Sequence, residues 1–268
     1  MKKVLALDID GTLTDSRKNI TPNTLAALHK AMDKGCNVVL ASGRPTPGLN
    51  RYKNELELDK RGGFLLSFNG ARLTECKSGK EIYSNTIKPE LVAKLRAFIE
   101  GKDVGMMTYE DEGIVTDTRI DEYMVWEAKI NGLNIKTVSS FKSYVTFPVN
   151  KCLMTAPDAE AFKLMNELIE EFGDELSIYR SEPFFVEIMP KNVDKAATLG
   201  ILCEYMGIAC KDLVACGDGY NDISMIEYAG LGVAMGNANA DVKAVADIIT
   251  KTNDEDGLVS VASLVIEG

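Results

Sequence analysis

The chain has 268 residues, of which 46% are hydrophobic and 26% charged, and its formal net charge is −10. That length fits one large domain or two of ordinary size, with enough apolar material for a substantial core, and the composition is neither disordered nor fibrous. The acidic balance and the lack of a Lys/Arg run argue against nucleic acid and anionic membrane surfaces as partners, while leaving room for a small basic pocket that holds one phosphate. Six cysteines without a CxxC pair and a single histidine, His29, make a zinc site a poor fit and favour a reducing compartment. The amino terminus runs directly into a strand bearing aspartates, with no leader-type apolar core. No apolar run reaches the roughly 20 residues of a membrane span. A soluble cytoplasmic protein is the expectation.

In chain order, Lys3–Leu7 predicts a buried strand. Thr21-Pro22 reads as an N-cap with proline at the first helical position, followed by Leu25, Leu28 and Met32 at helical spacing and Gly35 as the stop. Val38–Ala41 and Phe64–Phe68 are further apolar runs, ending at Ser42-Gly43-Arg44 and Asn69-Gly70. Strands alternating with helices predict a parallel sheet.

The middle of the chain changes character. Leu91, Val92, Leu95, Phe98 and Ile99 form one helical stripe, and Val104–Tyr109 and Gly113–Asp117 read as a strand pair turning at Glu110-Asp111-Glu112. A helix over Glu122–Ile130 carries the only tryptophan, Trp126, expected in the core. A strand at Lys151–Ala156, a helix marked by Phe162, Met165, Ile169 and Phe172, and strands at Leu176–Tyr179 and Phe184–Ile188 complete an α+β module. The α/β rhythm then returns: a helix over Asp194–Met206, a strand Leu213–Cys216, a helix Ile223–Tyr228, a strand Gly232–Ala234 and a helix Val242–Ala246. The predicted fold class is α/β, a Rossmann-like parallel-sheet core (1–83 and 189–268) with an inserted α+β cap domain (84–188).

Chemistry concentrates at strand ends. Residues i and i+2 of a strand share a face, so Asp8 and Asp10 are expected side by side at the carboxyl end of the first strand, where open parallel sheets bind ligands. Asp218 and Asp222, in CGDGYNDIS, follow another strand. If both strands are central the clusters meet, and three or four neighbouring carboxylates need a counter-charge. A hard divalent ion with oxygen ligands, Mg2+, meets that need. An EF-hand fails on spacing, no GxxxxGK[ST] is present, and a Ser/His/Asp hydrolase lacks GxSxG. A DxD site of a nucleotide-sugar transferase would not call for the later Ser, Lys and GDGxxND.

Four elements stand in order: DIDGT at 8–12, SGR at 42–44, VDK at 193–195 and GDGYND at 217–222. Together they resemble the haloacid dehalogenase superfamily of phosphohydrolases. The tail at 232–258 and Asn69-Gly70-Ala71 resemble its Cof-like branch, whose insertion is a type IIB cap. The resemblance implies that Asp8 is the nucleophile forming an aspartyl-phosphate, and that Asp10 protonates the leaving oxygen and then activates water. It implies Mg2+ on the Asp8 carboxylate, the Asp10 backbone carbonyl and Asp218. Thr12, Ser42, Gly43, Lys195 and Asn221 would contact phosphate, with Asp222, Arg44 and Asn69 in support. Asn237 serves either a turn or the ligand. Where the family often has glycines around VDK, this chain has Asn192 and Ala196, and Asn tolerates a left-handed turn.

The implied activity is Mg2+-dependent hydrolysis of a small phosphorylated metabolite, sugar phosphates leading, with oligomeric state open. A phosphohexomutase-like transferase is the second reading, a non-catalytic phosphate-binding protein the third. A dehalogenase ranks last, because that chemistry does not need the acidic cluster.

Overall fold

The computed structural model describes residues 3–110 and 113–267. Asp111 and Glu112, expected in a turn, lie outside the described residues, and Glu110 belongs to a strand. Contacts divide the chain into two compact units: Met1–Arg44, Leu49–Tyr83 and Asp194–Gly268 in the first, Pro45–Gly48 and Ser84–Val193 in the second.

The first unit is built on an eight-stranded sheet whose spatial order is Ile248–Ile249, Leu231–Ala234, Leu213–Gly217, Val4–Leu7, Asn37–Ala41, Phe64–Ser67, Arg72–Glu75, Glu81–Ser84. The first six are parallel, and Arg72–Glu75 runs antiparallel to Phe64–Ser67. Val4–Leu7 is buried throughout. Leu5 and Leu7 enter one apolar cluster while Val4 and Ala6 enter another. The strand is therefore covered on both faces, which is why its sequence is a continuous apolar run without alternation. From this strand the chain winds outward in one direction through Asn37–Ala41, and its return at Leu213–Gly217 winds outward in the other. The boundary between Val4–Leu7 and Leu213–Gly217 is a topological switch point, where the carboxyl ends of strands leave a crevice.

Helix Pro22–Asp33 begins as its sequence predicts: the Thr21 side chain accepts from the Thr24 amide, and Pro22 occupies the first turn. Lys195–Met206 is capped by the Asp194 side chain and ends at the left-handed Gly207. A terminal helix, Gly257–Glu267, packs on Pro22–Asp33 and was not expected, since its stripe follows an acidic turn that hides the start signal.

The second unit holds a six-stranded sheet in the order Leu176–Glu182, Phe185–Pro190, Cys152–Thr155, Gly105–Glu110, Gly113–Thr116, Asn134–Thr137. Only the last pair is parallel. Asn134–Thr137 is a largely exposed edge strand, and its polar sequence gave no strand signal. Helices Pro89–Phe98 and Asp158–Phe172 pack over Met106, Cys152, Met154, Val186 and Ile188 in one apolar cluster. The same unit buries a charged group: Lys151 lies 3.1 Å from Glu187, and the Tyr109 hydroxyl donates to Glu127 at 2.7 Å. Trp126 is not core. It is 40% exposed and meets Phe184 edge-on at 5.7 Å. Among the described residues no helix is long and apolar enough to cross a membrane.

Candidate active site

The first parallel strand stops at Leu7, so Asp8 and Asp10 sit on the turn that follows it and strand alternation does not set their directions. The Asp8 amide continues the ladder by donating to Cys216 O at 3.0 Å. That bond locks the aspartate beside Gly217-Asp218 at the end of the neighbouring strand. Gly11 then turns the chain at φ +90°, and a Cβ there would lie 2.3 Å from Asp218 Oδ2. Glycine serves both demands, a left-handed backbone and a close carboxylate.

Lys195 is the hub. It is 1% exposed, and its ammonium donates to Asp8 Oδ1 at 2.8 Å, Asp222 Oδ1 at 2.6 Å and the Ala41 carbonyl at 2.8 Å. An ammonium has three N–H groups, so its donors are fully used. Burial opposes its charge, but Asp222 and then Asp8 outweigh burial and push its pKa upward. Asp222 is equally committed: Oδ1 takes Lys195, and Oδ2 takes the amides of Asp218 and Gly219 at 3.0 and 2.9 Å. Asp222 therefore orients Lys195 and the GDG loop, and its side chain does not cap the helix that starts at Ile223.

Asp8, Asp218 and Asp222 have carboxylate oxygens within 4.8 Å of one another. Burial raises the Asp8 pKa well above the ordinary carboxylate value, and repulsion from Asp222 adds to it against the pull of Lys195. Burial likewise raises Asp218, to about 6, in spite of the Thr12 hydroxyl that donates to its Oδ1 at 2.8 Å. Asp8 Oδ2 and Asp218 Oδ2 carry no hydrogen bond among the described residues. The clustered carboxylates of Asp8 and Asp218 are an all-oxygen donor set that fits a hard divalent cation.

Asp10 stands apart from this cluster, contrary to the expectation of one merged set. Arg44 grips it with Nε to Oδ2 at 2.8 Å and Nη2 to Oδ1 at 2.9 Å, and Lys18 Nζ reaches Oδ1 at 2.9 Å. Burial alone would raise the Asp10 pKa; Arg44 and then Lys18 outweigh burial and hold it below the ordinary value. Arg44, expected in support, is thus a direct partner. Lys18 was missed, because a lysine in a polar turn looks like any solvated lysine. The one signal was its distance of eight residues from Asp10 within a short turn.

The other predicted residues take second positions. Thr12 gives its hydroxyl to Asp218. Ser42 carries the Asn69 amide on its carbonyl at 2.9 Å and the Arg44 amide on Oγ at 3.2 Å. Gly43 leaves space for Asn69, whose side chain would be 3.1 Å from a Cβ there. Asn69, itself left-handed at φ 55°, accepts on Oδ1 from Asn221 Nδ2 at 2.9 Å. Asn237 bridges Gly11 O and the Asn253 amide, at 2.8 and 3.0 Å, so it ties turns together. Asn192 adopts φ 59°, the left-handed turn expected of it.

Comparison with known proteins gives the family and the fold. The family model of haloacid dehalogenase-like hydrolases matches residues 5–261. A Bacillus subtilis protein, 5-amino-6-(5-phospho-D-ribitylamino)uracil phosphatase YcsE, is 32% identical over 265 residues, covering 96% of this chain and 92% of its own. A haloacid dehalogenase-like hydrolase from Bacteroides thetaiotaomicron superposes with a TM-score of 0.95 at 39% identity, covering 99% of this chain and 100% of its own. The subclass IIB sugar phosphatase BT4131 superposes at 0.80 with 30% identity, covering 98% of each chain.

Proposed function

Because the chain belongs to the haloacid dehalogenase-like hydrolase family and is a phosphatase of it, we propose that it hydrolyses small organic phosphomonoesters, sugar phosphates foremost, with Mg2+ and an aspartyl-phosphate on Asp8. The observation that carries this reading is the Asp8 carboxylate: one oxygen is fixed by Lys195 at 2.8 Å while the other is free of hydrogen bonds among the described residues. A nucleophile needs that asymmetry, one oxygen for orientation and one for attack.

Asp8 attacks phosphorus, and the bond to the leaving oxygen breaks as Asp10, in its protonated minority form because Arg44 and Lys18 favour the carboxylate, gives that oxygen a proton. Water then attacks the phosphorus of the aspartyl-phosphate, its proton passes to Asp10, and Asp8 is released with inorganic phosphate. Lys195 works by fixing Asp8, since its donors are already in use. The Ser42 hydroxyl, the Gly43 amide and the Asn221 side chain, which Asn69 steadies, receive the phosphoryl oxygens. The Asp8 carboxylate, the Asp10 backbone carbonyl and Asp218 would hold Mg2+, with Thr12 fixing Asp218. When bound, the ion shields the anionic nucleophile from the anionic substrate. The six cysteines are all unpaired, which supports a cytoplasmic setting. The sugar-phosphate preference draws on the subclass IIB relative.

The test is phosphate release from p-nitrophenyl phosphate and a sugar-phosphate panel, with Mg2+ or with EDTA, beside Asp8→Asn. Release that needs Mg2+ and disappears in D8N is expected. Turnover by D8N, or undiminished turnover in EDTA, would overturn the mechanism. A requirement for a bisphosphate activator would replace hydrolysis with the mutase reading.

A further inference from the structure

Among the described residues, Lys18 is the one cation at this site that neither the motifs nor the mechanism accounts for. It is held in place by a built loop. The Asp15 side chain accepts from the amides of Arg17 and Asn19 at 3.0 and 2.8 Å, and the Asp15 carbonyl accepts from the Lys18 amide at 2.9 Å. The Ser16 amide donates to Asp254 at 2.8 Å, and Arg51 donates to the Asn19 side chain at 2.8 Å. Within this frame Lys18 has φ +63°, a conformation that costs a side-chain-bearing residue energy. What the loop delivers is one ion pair to Asp10, with the lysine 55% and the aspartate 36% exposed. Exposed pairs return little stability, less than the left-handed backbone costs. Stability therefore does not account for the arrangement, and strain concentrated beside a reacting group is a reason to look for a functional one.

Geometry supplies it. Arg44 approaches Asp10 as a two-pronged donor, one N–H to each carboxylate oxygen. Lys18 adds a second hydrogen bond at Oδ1, while Oδ2 keeps the one from Arg44 Nε. The Arg44 fork sets the carboxylate's orientation, and Lys18, from a separate segment, adds a third hydrogen bond that holds Asp10 against displacement along that fork.

We propose that Lys18 is a positioning residue for Asp10, serving the second half of the reaction, in which water attacks the aspartyl-phosphate and its proton passes to Asp10. This rests on the phosphatase reading above. It predicts a specific split. A nitrophenolate leaves without a proton from Asp10, so formation of the aspartyl-phosphate from p-nitrophenyl phosphate proceeds without Lys18, whereas its hydrolysis does not.

The experiment is rapid-mixing kinetics with p-nitrophenyl phosphate and saturating Mg2+ on the wild type, Lys18→Met, Lys18→Arg, Lys18→Gly and Asp8→Asn. In K18M the steady-state rate falls about tenfold, part of the roughly 10²–10⁴-fold that a positioned base supplies. A burst approaching one nitrophenolate per protein precedes it, and K18R restores the steady rate. K18G relieves the left-handed strain while removing the ammonium, so it shows the same burst in a protein at least as thermostable as the wild type. A K18M steady rate equal to wild type, or equal slowing of both phases in K18M and K18G, overturns the assignment. Turnover by D8N, or none by the wild type, overturns the underlying reading instead.

Discussion

Lys195 and Asp8 meet at 2.8 Å in a place where the lysine is 1% exposed. They lie 187 residues apart in sequence, so the pair joins the first strand of the sheet to the helix that reopens the first unit. Its third partner, Asp222, makes the group one cation among buried carboxylates. Replacing Lys195 by Met leaves Asp8 and Asp222 facing each other without compensation. The expected result is a loss of roughly 10²–10³-fold in kcat, the scale for removing one preorganised electrostatic contact. Arg in its place fails as well, because a planar fork does not reproduce three diverging ammonium bonds. Steady-state kinetics on K195M and K195R checks both.

Asp218 gives a pH dependence with a definite sign. Its pKa is raised from 3.8 to about 6 by burial and by Asp222. Its contribution to stability is full below the unfolded value and is lost as pH rises through about 6. Metal-free protein in EDTA is therefore expected to lose thermal stability between about pH 4 and 6, with Mg2+ reversing the loss at neutral pH. Asp218→Asn flattens that part of the curve. Thermal melts across pH, with and without Mg2+, check it; an unchanged slope in D218N would count against the assignment.

Gly11→Ala tests the metal site through the backbone. A Cβ at this position would lie 2.3 Å from Asp218 Oδ2, on a backbone at φ +90°. The strain alone is of order 1–3 kcal/mol, and Asp218 must shift to admit the methyl group. G11A is expected to bind Mg2+ at least tenfold more weakly, about 1.4 kcal/mol, as calorimetric titration would show.

The second unit has its own buried ion pair, Lys151 with Glu187 at 3.1 Å, their side chains 4% and 10% exposed. Burial opposes the Lys151 charge, but Glu187 and then Glu127 outweigh it and raise its pKa. Removing one partner of a buried pair costs about 3–5 kcal/mol, so Lys151→Ala should lower the denaturation midpoint sharply. Lys151→Met together with Glu187→Leu should recover part of the loss, because no charge of the pair is left alone, although Ser181 loses its Glu187 acceptor and buried Glu127 its neighbouring cation.

How much of this was written in the chain is clear from particular residues. The buried strands at Val4–Leu7 and Leu213–Gly217, the Thr21-Pro22 helix start and the aspartates at 8, 10, 218 and 222 are local facts. Apolar runs must be buried, a cap needs only its own turn, and acidic residues at strand ends announce a charge that needs an answer. The partners of those residues were not legible. Thr12 spends its hydroxyl on Asp218, 206 positions away, and Asp10 turns from the acidic cluster toward Arg44 and Lys18. Trp126, read as core, lies at the surface, because a helix stripe does not say how much of its flank a neighbour will cover. The polar edge strand Asn134–Thr137 was invisible for the same reason, being defined by its pairing and not by its own hydrophobicity. The sequence by itself determined the family and which acidic and basic groups are proposed to react, since motifs depend on residue type and order. Only the tertiary structure decided which oxygen of each carboxylate is held and which is free, because that depends on hydrogen bonds between segments that meet only when the sheet closes around its switch point.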